Sequence, residues 1–130
     1  MGQARTRAVV LDAGALVAFE RYDRRVVRLV ERAVETGGRL HTPAGVLAQV
    51  WRDGARQVRL ARLLGSGVLE IRALDLREAQ AAGSLCGRSS TADVVDASVA
   101  LLARRLDATV VTSDAGDLRR LDTSLELIEI

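Results

Sequence analysis

A chain of 130 residues with 48% hydrophobic content has material for one core, and no run approaches the roughly 18 apolar residues that a membrane helix needs. All 19 basic residues are arginine against 17 acids, a formal net charge of +2. That leaves no lysine as Schiff-base former, phosphate-loop cation or general base, and a net charge too small to imply nucleic-acid binding by itself.

From the start, MGQARTR carries charge but no apolar run of signal-peptide kind, so a cytoplasmic protein is expected. Residues 7–11 (RAVVL) predict a strand ending at Asp12, and 13–19 predict a helix, a first strand-to-helix change at an acid. The apolar stripe 26, 27, 29, 30, 33, 34 predicts a helix with arginines opposite, stopped at Gly37-Gly38. Residues 40–42 predict a second strand, and Thr42-Pro43 opens a helix that turns Val46, Leu47, Val50 and Trp51 inward.

Helix is expected again at 58–64 and strand at 68–74, where VLEIRAL alternates. An alanine-rich helix over 76–86 is expected to stop at Gly87, with 83–90 (GSLCGRSS) available as a loop. A long helix at about 92–106, a β-branched strand at 109–112, a short helix at 115–121 and a last strand at 125–130 complete the chain. Helices alternating with strands at this spacing give right-handed βαβ units, hence one α/β domain over 1–130 with a mainly parallel sheet of about five strands.

In such a sheet, ligands collect beyond the carboxyl ends of the strands, where strand order reverses. Asp12 ends the first strand and Asp114 follows the fourth. Asp93 and Asp96, three apart, open the helix between. Gathered carboxylates repel one another, and a hard divalent cation removes that repulsion while leaving positions for a phosphate. Thr112 and Ser113 are placed to hold bound water or a carboxylate in orientation. Each acid also has a plainer use, because Asp12, Asp93 and Asp114 lie where helix caps lie, and Asp117 fits a capping-box position after Asp114.

Four segments in order, LDAGAL, VLAQVW, TADVVDASVALLA and VVTSDAGDLRRL, resemble the PIN-domain ribonucleases, in particular the VapC-type toxins of bacterial toxin–antitoxin pairs. The resemblance spans nearly the whole chain. It implies a PIN-like three-layer α/β/α fold, Mg²⁺- or Mn²⁺-dependent hydrolysis of RNA, with tRNA among the candidates, and a cognate antitoxin protein. Carried over by position, Asp12, Asp93 and Asp114 are the catalytic and metal-binding acids, and Asp96 is an auxiliary ligand. One position departs: Gln49 stands where the family usually has glutamate. An amide accepts a hydrogen bond from bound water but brings no charge and no base, so the alternative is a weak or inactive relative that binds RNA or an antitoxin.

Other readings are narrower. His41 is expected to be structural and Cys86 a core filler; a lone cysteine also excludes an internal disulfide and fits a reducing compartment. Phe19, Tyr22 and Trp51 are too few to stack bases as a single-strand platform does. Arg52, Arg56, Arg59 and Arg62 recur at helical spacing and can guide phosphates or simply form a solvated face; Arg24, Arg25, Arg28 and Arg32 have the same two readings. Apolar surface left on the shorter helices suits a homodimer or an antitoxin helix. A phospho-acceptor receiver or aspartate phosphatase would want a lysine. A dinucleotide or P-loop domain would want GxGxxG or GxxxxGK[ST], and neither motif occurs.

Overall fold

The computed structural model describes residues 7–130, so most of the MGQARTR segment lies outside the described residues. The elements run β1 (Val9–Leu11), α1 (Ala13–Glu20), α2 (Arg24–Glu35), β2 (Leu40–Pro43), α3 (Ala44–Val50), α4 (Val58–Gly65), β3 (Leu69–Arg72), α5 (Leu76–Ser89), α6 (Val94–Leu106), β4 (Thr109–Thr112), α7 (Ala115–Leu121) and β5 (Glu126–Glu129). The strands form one sheet in the order β3-β2-β1-β4-β5, and every pairing is parallel.

Strand composition follows position in that order. Central β1 and β4 read VVL and TVVT, and Val10, Leu11, Val110 and Val111 are fully buried, as strands covered on both faces require. The edges β3 (LEIR) and β5 (ELIE) carry charges among their apolar residues. Packing sorts the helices into α1, α2 and α4 in one group and α5, α6 and α7 in another, with α3 touching both α1 and α6. Buried Leu16 and Leu60 anchor the first group; Ala97, Ala100 and Leu118 anchor the second. Among the described residues no helix is long and apolar enough to cross a membrane.

The expected stop at Gly87 is overturned, and with it the loop at 83–90: α5 continues to Ser89. Asp75 caps its start, and burial of Ala82, Leu85 and Cys86 outweighs the roughly 1 kcal/mol that each helical glycine costs. Ser90, in left-handed conformation (φ 54°), ends the helix instead. The start of α6 is therefore delivered by a short connection.

His41 lies in β2 beside β3, 5% exposed, and its Nδ1 has no hydrogen-bond partner among the described residues, Glu70 Oε2 standing 3.7 Å away. Burial lowers its pKa, with Arg72 and Arg39 adding to the effect against the opposite pull of Glu70. The unfolded chain then binds the proton more readily, so stability is complete above the ordinary value of 6.5 and falls as pH drops through it. Between pH 7 and pH 5 the thermal midpoint of the wild type should fall further than that of His41→Leu. Parallel curves for the two proteins would remove His41 as the cause.

Candidate functional site

Strand order reverses between β1 and β4, and the carboxyl ends of these two strands carry the first acids. Asp12 follows β1 directly. Its N–H donates to the Val111 carbonyl (3.3 Å), which ties the turn to β4. The side chain caps α1 by accepting the Ala15 N–H at 3.0 Å, and the nearby Thr112 hydroxyl and Gly14 N–H favour its charged form. At 6% exposure the carboxylate pays for desolvation, and burial pushes its pKa up. Asp114 pushes the same way, while the bonds from Thr112, Ala15 and Gly14 oppose it. Below this turn, the buried Thr42 hydroxyl donates to the Leu11 carbonyl at 2.9 Å and fixes the end of β1.

Thr112 ends β4, fully buried, and its hydroxyl serves two acids. The oxygen accepts the Asp114 N–H at 2.8 Å, and the hydroxyl lies near enough to Asp12 to favour its charged form. Because Thr112 takes that N–H, the capping box expected between Asp114 and Asp117 is not formed. The Asp114 carboxylate makes no cap bond to α7 and stands exposed. The acid is thus left for other work.

Asp93 caps α6, accepting the Asp96 N–H at 2.9 Å, and its own N–H donates to Thr91 Oγ1 at 3.2 Å. Half-buried Asp96 points toward the same acids. Its pKa is pushed up to about 7 by burial first, then by Asp93, to which its protonated form hydrogen-bonds, and then by Asp114 and Asp117. Capping does not isolate these acids: Asp114 acts on Asp12, and Asp93, Asp114 and Asp117 act on Asp96, so Asp114 is the electrostatic link between the end of β1 and the start of α6.

As the side chains stand, no group of three or more His, Cys, Asp or Glu among the described residues is gathered tightly enough to hold a metal ion. The chemistry of the donors nevertheless fits a hard divalent cation. They are all carboxylate oxygen, they repel one another, and two of them hold protons more tightly than free aspartate does. Gln49 is exposed on α3 and makes no hydrogen bond to these acids. Ser113 is exposed and its hydroxyl has no hydrogen-bond partner among the described residues, unlike Thr112.

Two of the four arginines at helical spacing are tied down locally. Arg59 lies 4.9 Å over the Tyr22 ring and donates to the Glu20 carbonyl, and Arg52 donates to the carbonyls of Ala48 and Trp51. Exposed Arg56 stands 3.9 Å from Asp53, and Arg62 lines a small apolar hollow with Phe19, Tyr22 and Leu63. Cys86 is a buried free thiol of the core. What the sequence did not disclose is Gly14. An added Cβ there would overlap Ser113, a contact signalled only by a small residue two places after the acid.

The family model of the PIN domain matches residues 9–123. Among solved structures, VapBC2 from Rickettsia felis, bound to a DNA fragment from its promoter, has TM-score 0.72 and 18% identity over 94% of this chain and 98% of that one. FitAcB from Neisseria gonorrhoeae follows at 0.65 and 16%, over 93% and 96%. VapBC-1 from nontypeable Haemophilus influenzae stands at 0.64 and 14%, over 94% and 97%. Identities this low speak for the fold alone. No curated protein matches the sequence.

Proposed function

The chain belongs to the PIN-domain family, and from that premise we propose that it is a single-domain, metal-dependent endoribonuclease of the VapC toxin type. PIN domains are generally metal-dependent nucleases. What supports the reading in this chain is Asp12 and Asp114 at the ends of β1 and β4, where strand order reverses, with Asp114 acting electrostatically on both Asp12 and Asp96.

In this reading Asp12, Asp93 and Asp114, with Asp96 as auxiliary, hold Mg²⁺ or Mn²⁺. When bound, the ion acidifies a water and offsets charge on the leaving oxygen of a phosphodiester. The rest is done by the chain. The Ala15 N–H orients the buried Asp12 carboxylate, so little ordering is left to be done when substrate arrives. Thr112 holds the Asp114 backbone on its hydroxyl, beside Asp12. Asp96, whose protonated form is favoured by burial and by Asp93, would be the auxiliary ligand of such an ion.

Gln49, exposed on α3, supplies no charge to the set. Substrate RNA (tRNA among the candidates), a cognate antitoxin, pairing into a homodimer and residence in the cytoplasm belong to the same proposal. Support for the antitoxin comes from the VapBC and FitAcB structures that share this fold.

The test is incubation of the purified protein with total tRNA and Mn²⁺. Discrete fragments are expected, and none once the metal is chelated. Retention of intact RNA without cutting would replace the nuclease with a binding protein, the reading that Gln49 favours.

A further inference from the structure

Gly14 is the second residue of α1, where a side chain would ordinarily help, since alanine is a better helix former than glycine. Its φ is not among the positive values of the chain, so the backbone does not demand glycine either. Space does. A Cβ built at Gly14 would overlap Ser113 Oγ, stand 2.8 Å from Ser113 Cβ and 3.4 Å from Ser113 N. Turning the Ser113 rotamer moves Oγ away, but Cβ is fixed by the backbone. Contact between carbons is comfortable only near 3.5–4.0 Å, so the turn itself would have to retreat.

That turn is flanked by the two residues that matter. Thr112, whose hydroxyl accepts the Asp114 N–H, lies on one side of Ser113, and Asp114 follows on the other. The Gly14 N–H in turn favours the charged form of Asp12. We propose that the missing side chain at Gly14 is a spacing device: it lets the β4–α7 turn seat against the start of α1 and so sets how far Asp114 stands from Asp12. Gly14 is then a positioning residue, acting through Ser113, and this inference rests on the reading of Asp12 and Asp114 as partners around a cation.

The test compares wild type, Gly14→Ala, and Gly14→Ala combined with either Ser113→Gly or Ser113→Ala. Three readings are taken: metal-free thermal midpoint, the rise in midpoint on adding Mn²⁺, and kcat and KM for Mn²⁺-dependent RNA cleavage. Gly14→Ala is expected to lose most of the Mn²⁺-induced rise and roughly 10- to 100-fold in kcat, with KM little changed. Ser113→Gly in that background should restore both, because it removes the opposing Cβ, whereas Ser113→Ala should not.

A Gly14→Ala protein that keeps the wild-type Mn²⁺ rise and kcat overturns the proposal. So does equal behaviour of the two double variants, and that comparison decides the matter even where Gly14→Ala alone does not fold. Wild type that gains stability from Mn²⁺ yet leaves RNA intact would sink the nuclease reading alone, since the spacing device is still read through the midpoints. Wild type with no response to Mn²⁺ would sink both.

Discussion

Replacing Asp12 with asparagine is expected to lower Mn²⁺-dependent RNA cleavage by at least ~100-fold, about 2.7 kcal/mol of barrier, with no loss of thermal stability. The two halves of this expectation have different origins. Activity goes because asparagine carries no charge for a divalent ion to pair with. Stability stays because the structural duties of Asp12 do not need the charge: asparagine caps helices as well as aspartate, and its carbonyl oxygen can still accept the Ala15 N–H.

Burial raises the pKa of Asp12 above the ordinary 3.8, so the folded state binds the proton more tightly than the unfolded one. Its contribution to stability is fully present below 3.8 and is lost as pH rises through the folded value. At neutral pH the ionised carboxylate is thus a cost that asparagine does not carry, and the midpoint of Asp12→Asn should equal or exceed that of wild type. Activity and stability opposed in this way are expected where a site keeps a charge for its ligand. Calorimetry and a cleavage assay on one preparation settle it. A folded Asp12→Asn protein that cuts RNA at the wild-type rate would remove Asp12 from the site.

How far could the chain be read beforehand? Where local signals and burial agree, closely. The runs VVL and TVVT, the acids at element starts and the left-handed turn after α2 need only neighbours in sequence to be understood, and the parallel sheet follows from their alternation. The helix runs through Gly87 because glycine weakens a helix only slightly, and the apolar face of Leu85 and Cys86 outweighs it. The capping box at Asp117 was misread because its donor was already taken by Thr112, two residues earlier. Gly14 against Ser113 was out of reach altogether. That contact joins two turns a hundred residues apart, and only the β1–β4 register brings them together.

The same register gives Thr112 its leverage, and Thr112→Val is the substitution that separates it from mere packing. Valine keeps the shape and the strand preference of threonine, so β4 should form unchanged. The lost hydroxyl, however, is shared. The Asp12 carboxylate loses a donor that offsets part of its burial, and the part-buried Asp114 N–H loses its acceptor. A buried polar group left without its partner costs about 1–3 kcal/mol, so the midpoint should fall by several degrees. With that hydroxyl gone, the pKa of Asp12 moves further up, and the Asp114 turn loses the bond that ties it to the end of β4. Cleavage should fall by roughly 10- to 100-fold, the scale expected when a reacting group shifts by about an ångström. Thr112→Ser, which keeps the hydroxyl and drops only a methyl, should recover most of the activity. If serine and valine at this position were equally impaired, the methyl rather than the hydroxyl would be the part that matters.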